Sequence, residues 1–320
     1  MFNFVEWFHQ AKPVIQMGTI VLGLLSFSTA LVQCLQLLKP KSDFSELSKR
    51  IRSWWLMATL FFLSLIVHPD ASIVLFAITS FLALKEYFTL IHTRIEDHRV
   101  LFWAFLSIPI QFWLVKIHWW AVFVIFIPVY MFLFIPIRLV MTGKTAGIVE
   151  SIAKIQWGLM AFVFCISHIA YMLNLPTIPA IPGGGKALVL YLVFLTEIND
   201  VAQYIWGKLF GRTAIAPSVS PKKTLAGFIG GVLTTVILAV LLRFLSGFDL
   251  TLAIASGFLI SLSGFIGDLV VSAIKRDMGV KDSGALIPGH GGMLDRIDSL
   301  TYSAPLFFHF VGYMFYPAPH

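Results

Sequence analysis

The sequence predicts an all-α, polytopic membrane protein of about nine to ten transmembrane helices joined by short loops. Three observations carry that prediction. Of the 320 residues, 58% are hydrophobic and only 12% charged, about half the ~25% charge of an ordinary soluble domain, and mean hydropathy is +0.87. Apolar runs recur along the whole chain at the length that crosses a hydrocarbon core of about 30 Å. Those runs are continuous rather than alternating, which excludes a β-barrel. The net charge of +7 is spread over short loops, so the expected partners are membrane lipids and no nucleic acid.

Ten candidate spans follow in order: 14–38, 53–67, 71–91, 100–115, 119–139, 155–173, 187–207, 225–244, 250–274 and 297–316. The runs at 53–67 and 100–115 are short for the bilayer and are expected to be tilted, interfacial or re-entrant. The opening stretch 1–12 lacks a basic region and the first apolar run is too long for a signal sequence, so no cleavable leader is expected. Cys34 and Cys165 each fall inside an apolar run. Neither a disulfide nor a zinc site is expected from them. Residues 1–190 read as a hydrophobic scaffold and a candidate dimerisation surface. The polar chemistry lies in 191–320.

Orientation follows from basic residues in alternate loops. The loops 39–52, 92–99, 138–154, 208–223 and 275–292 together hold 17 Lys and Arg, against 4 on the other side. Basic loops stay in the cytoplasm, so both termini are expected outside and 275–292 inside. The loop 39–52 is read as a topology determinant, with attraction of an anionic lipid as the alternative.

Three polar clusters interrupt the last spans. Glu197, Asn199 and Asp200 lie within one span; acids there cost about 2.5–3.5 kcal/mol each on insertion scales, so they must face protein and serve either a site or interhelical hydrogen bonding. Ser220, Pro221, Lys222, Lys223 and Thr224 precede the span near Leu225, with Pro221 suited to the first turn of a helix. Free amides, hydroxyls and two lysines there would suit a phosphate; a simple positive anchor is the alternative. Gly227, Gly230 and Gly231 read as a close helix contact.

The third cluster is the segment 272–298 with Asp268 before it. Asp268, Ser272 and Lys275 recur at i, i+4, i+7 on one helix face, and Asp295 and Asp298 open the next helix. Carboxylates from two helices entering one pocket suit divalent cations, which makes Asp268 and Asp295 the candidate metal ligands. Lys275, Arg276, Lys281 and Arg296 would neutralise phosphate. Asp282 and His290 belong to the same block, and Gly291 and Gly292 would let backbone approach a ligand. The alternative is a salt-bridged loop, for example Lys281 with Asp277.

The run Ser272-x-Ile274-Lys275-Arg276-x4-Lys281-Asp282, continuing through Pro288-x-His290-Gly291-Gly292 to Asp295-Arg296-x-Asp298, resembles the motif of the CTP:phosphatidate cytidylyltransferases. The resemblance extends to Asn199-Asp200 with Tyr204, and to Ser220-Pro221-Lys222-Lys223-Thr224. It covers roughly the last 125 residues, from about Thr196; the first 190 share only hydrophobic character. It implies an inner-membrane enzyme making CDP-diacylglycerol from CTP and phosphatidic acid. It also implies a Mg²⁺ pair on Asp268 and Asp295, with K⁺ a candidate for the second ion. His290, Arg296, the lysines and the Ser220–Thr224 segment would then contact nucleotide and phosphate. Ala226 stands where the family usually carries a glutamate. Two other readings are a CTP-dependent kinase or cytidylyltransferase acting on another lipid, and a cation-coupled transporter. The transporter would need related halves with acids at mid-membrane, and no repeat is visible.

Overall fold

The computed structural model describes residues 12–39, 43–91, 93–94 and 97–316. The leader reading on 1–11 and the charge of Lys41 lie outside the described residues. Within them the chain forms ten long helices: α1 Pro13–Leu38, α2 Ser45–Val67, α3 Pro69–Leu90, α4 His98–Lys116, α5 Trp120–Val140, α6 Ile148–Met172, α7 Gly184–Phe210, α8 Leu225–Leu241, α9 Leu250–Asp277 and α10 Leu300–Phe315. Each corresponds to one expected span. Eight are long and apolar enough to cross a bilayer, and Phe27, Leu56, Phe102, Leu133 and Leu233 stand exposed on their outer faces. Apolar side chains in such numbers on the outside belong in lipid. The chain is an integral membrane protein.

The two short spans are corrected. Helices α2 and α4 run for 23 and 19 residues, because Ser45–Arg52 and His98–Arg99 continue the helix past the apolar run. Hydropathy measures how much of a helix meets lipid, not where its hydrogen bonds stop. Local chemistry sets several other ends. Pro13 and Pro69 occupy first turns, where a missing N–H costs nothing. Asp249 caps α9 by accepting from Leu252 N at 2.7 Å. Helices α5 and α6 each contain a π-helical turn, Phe126–Met131 and Leu159–Phe164.

The second polar segment departs from expectation. Pro221 is not in a helix; Ala214–Ala216 (β1) and Ser220–Thr224 (β2) form an antiparallel hairpin, with Ala214 opposite Thr224 and Ala216 opposite Ser220. The helix begins one residue later because the Thr224 hydroxyl accepts from Gly227 N at 3.1 Å and supplies the cap. Behind it, α8 lies against α7 through small residues, as expected. A Cβ on Gly227 would stand 2.7 Å from the Gln203 carbonyl oxygen, so the two backbones touch.

Candidate functional site

Helix α9 leaves the bilayer carrying the central residues on one face. The Ser272 hydroxyl donates to Asp268 Oδ1 at 3.0 Å. The hairpin brings Lys223 to the other oxygen, Nζ to Oδ2 at 2.6 Å, with the ammonium over the Phe265 ring. One turn further on, Lys275 Nζ reaches Asp295 Oδ1 at 2.6 Å. Asp295 Oδ2 accepts from Ser283 N, Ser283 Oγ and Gly292 N at 2.9, 3.0 and 3.1 Å. Burial alone would raise the Asp295 pKa; the Lys275 charge and hydrogen bond, with the two amides, outweigh it and hold the carboxyl below its ordinary value.

Both expected metal ligands therefore border one region, each paired with an ammonium. Asp268, Asp200 and Asp298 lie close enough for their three charges to repel one another. Asp200 Oδ2 accepts from Ser299 Oγ at 2.8 Å, which ties α7 to the start of α10. Asp268, Asp295, Asp298, Asp200 and Glu197 all line one cavity of about 1000 Å³. Lys275, Lys281, Asp282, His290, Gly291 and Arg296 line it too. A smaller cavity of about 150 Å³ shares Asp200, Tyr204 and Asp268, and adds Lys222, Lys223 and Thr224. A volume of this order accepts a large ligand.

Two polar atoms in the main cavity are uncommitted. Among the described residues, His290 Nδ1 and Arg296 Nε are buried without a hydrogen-bond partner. Burial first, then the Arg296 charge, lowers the His290 pKa. Buried polar atoms of this kind ordinarily have partners, and an anionic ligand would supply them.

Some expected residues go elsewhere. Asn199 is fully buried; its Oδ1 accepts from Ser261 Oγ at 2.6 Å and Thr235 Oγ1 at 3.1 Å. It joins α7 to α8 and α9 and does not reach the cavity. Arg276 donates to the Val219 and Val280 carbonyls at 3.2 and 2.9 Å, so it braces hairpin against loop. Ser272 and Gly292 act through Asp268 and Asp295, while Ser220 sits in β2 outside both cavity walls. A Lys281–Asp277 pair is not formed among the described residues.

Four contributors come from the first half of the chain. Arg50 and Trp54 of α2 line the main cavity, with Trp54 edge-on to His290 at 6.0 Å. Ser53 Oγ donates to the Pro288 carbonyl at 2.7 Å. Glu86 of α3 accepts from Met293 N and Leu294 N at 2.9 and 2.8 Å. Sequence reading missed Glu86, although it is the sole acid in the run 71–91, and an ionisable residue in a span is the signal that could have found it. Arg50 and Trp54 stand at i, i+4, one helix face.

Glycine at 291 is required twice over. Its φ is +81°, and a Cβ would lie 2.6 Å from Asp295 Oδ2. Gly291→Ala is expected to destabilise by about 1–3 kcal/mol, while Gly312→Ala, with open space around it, should be neutral or slightly stabilising. Thermal unfolding in detergent checks both; equal shifts would contradict the packing argument.

Comparison with known proteins agrees in kind. The family model described as the cytidylyltransferase family matches residues 48–314. "Uncharacterized protein YnbB" of Escherichia coli (strain K12) is 43% identical over 295 residues, 92% of this chain and 97% of that protein. The phosphatidate cytidylyltransferases of Staphylococcus haemolyticus and Staphylococcus aureus (strain COL) are 37% and 35% identical over 158 residues, 48% of this chain and 61% of each of those enzymes. The family match begins far ahead of Thr196 and takes in Arg50, Trp54 and Glu86. This corrects the expectation that the first 190 residues share only hydrophobic character.

Proposed function

The chain belongs to the cytidylyltransferase family, and on that premise we propose that it transfers the cytidylyl group of CTP to phosphatidate, giving CDP-diacylglycerol and pyrophosphate. It is a membrane-embedded nucleotidyltransferase. The observation that supports the finer reading is the cavity of about 1000 Å³ at the junction of α7, α9 and the 278–293 loop, lined by carboxylates, by Lys275 and Lys281, and by Arg296 and His290, each with an atom unpartnered among the described residues. In the reaction a phosphate monoester oxygen of the lipid attacks the α-phosphorus of CTP. One P–O bond forms, and the bond to pyrophosphate breaks. Both reactants are polyanions, so the protein's task is neutralisation and alignment in line.

In this reading Arg296, His290, Lys275 and Lys281 hold phosphate oxygens, and Lys222 and Lys223 hold the nucleotide from the hairpin side. Trp54 and Arg50 receive the lipid phosphate. The donor set also fits a hard divalent cation. Among the described residues no three Asp, Glu, His or Cys side chains form a ready-made cage, but Mg²⁺ takes one or two carboxylates and completes its shell with water and phosphate. Asp268 and Asp295, each now facing an ammonium at 2.6 Å, would hold it. When bound, Mg²⁺ offsets charge on the phosphates and on the departing pyrophosphate. Arg50, Lys222, Lys223, Lys275 and Lys281, from three of the basic loops, line the two cavities, which supports a site at the cytoplasmic leaflet.

The test is direct. Purified protein receives Mg²⁺, labelled CTP and phosphatidate, and lipid-phase cytidine and pyrophosphate are followed. One-for-one appearance of both is expected, abolished by EDTA and restored by Mg²⁺. Release of CDP would assign a lipid kinase instead, and no nucleotide turnover with any lipid phosphate would sink the reading.

A further inference from the structure

We propose that Glu86 is a positioning residue for the catalytic loop, acting on Asp295 through Ser283 and the backbone at Met293 and Leu294. The proposal rests on the cytidylyl-transfer reading of the site for its kinetic consequence, and on geometry alone for the rest. Glu86 comes from α3, and borders neither cavity. It forms no ion pair among the described residues. Its partners are all on the loop: Oε1 accepts from Met293 N at 2.9 Å, and Oε2 from Leu294 N at 2.8 Å and Ser283 Oγ at 3.0 Å. Ser283 Oγ lies equally 3.0 Å from Asp295 Oδ2.

One hydroxyl has one hydrogen. Ser283 therefore shares it between two carboxylates that would otherwise repel, and this arrangement fixes their separation. Gly292 lies between them; a Cβ there would strike both Ser283 Oγ and Glu86 Oε2. The peptide from Gly292 to Asp295 is thus held by carboxylates on either side, one from α3 and one its own. Asp295 and Arg296 face the cavity in the orientation this hold sets.

A carboxylate is required for a specific reason. Two oxygens take three donors. An amide offers one oxygen, and its NH₂ would meet a backbone N–H, donor against donor. Glu86→Gln is therefore expected to release one of the two amides despite its matched shape.

The experiment uses the full-length protein in detergent. Glu86→Gln is expected to lower kcat about 10–100-fold, the scale of a misplaced reacting group, with KM for CTP held within about threefold. Lys85→Gln, an exposed neighbour on the same helix, should leave kcat within about twofold. Combined with Asp295→Asn, Glu86→Gln should add no further loss, because it acts through Asp295. Amide exchange gives a readout free of activity. In Glu86→Gln it should accelerate at Met293 and Leu294, and also at Ser283 and Gly292, whose N–H groups bond Asp295.

Wild-type kcat in Glu86→Gln, or losses that multiply with Asp295→Asn, would overturn the proposal. So would acceleration confined to 293–294, since Asp295 would then be held without Glu86. If the wild-type protein transfers no cytidylyl group to any lipid phosphate, the reaction reading fails alone, and exchange at 283 and 292 still decides what Glu86 does.

Discussion

Asp268→Asn is expected to abolish cytidylyl transfer, lowering kcat by about 10³-fold or more, the scale of losing a central electrostatic or metal-binding group. The substitution is isosteric, and the amide oxygen still accepts from Ser272, so the fold should hold. What changes is charge. Lys223 Nζ, on a side chain only 15% exposed, loses the carboxylate 2.6 Å away, and the acid group of Asp200, Asp268 and Asp298 loses the member on α9. A cation carried in by phosphate would then lack its ligand from that helix. The measurement is lipid-phase cytidine and pyrophosphate production, with elution profile as the check on folding. Activity within tenfold of wild type would remove Asp268 from the chemistry.

The second large effect belongs to the Lys275–Asp295 pair, whose side chains are 10% and 8% exposed. Breaking a buried pair from one side strands the other charge, at a cost of about 3–5 kcal/mol. Lys275→Met should therefore lower the unfolding temperature markedly as well as activity. The pH dependence has a definite sign. The folded-state pKa of Asp295 is depressed, so its contribution is fully present above the unfolded value of about 3.9 and lost as pH falls through the lower folded value. Without Lys275, burial drives the Asp295 pKa up in the variant, so the stability gap between wild type and Lys275→Met should be widest near neutral pH and narrow on acidification, beginning above the ordinary value of about 3.9 as the stranded carboxyl takes up a proton. A gap that did not change on acidification down to about pH 4 would show that Asp295 does not carry the pair.

The late motifs were legible because their spacing is set by one helix at a time. Asp268, Ser272 and Lys275 share a face of α9 by periodicity, and the structure places the Asp268 and Lys275 side chains on the cavity. Reading failed where the partner is distant. Nothing near Ser283 in sequence announces that its hydroxyl meets Glu86, 197 positions earlier. Asn199 looked available for nucleotide because it adjoins Asp200, but a helix turns neighbours by about 100°, and that turn sends Asn199 into the bundle. Pro221 suited a first helical turn, yet its φ is equally at home on the outer strand of a hairpin. The register was decided by the Thr224 cap. The limits of α2 and α4 escaped hydropathy because polar residues extend both helices beyond lipid.

The contact from Glu86 to Leu294 joins positions 208 residues apart, and it has a consequence for biogenesis. A ribosome must deliver the chain as far as Leu294 before α3 can receive the loop that it holds. Every nascent intermediate up to α9 therefore sits in the bilayer with its acids already inserted but no assembled centre. A product that stopped before Met293 would therefore leave the Glu86 carboxylate without the two backbone amides that it accepts from here.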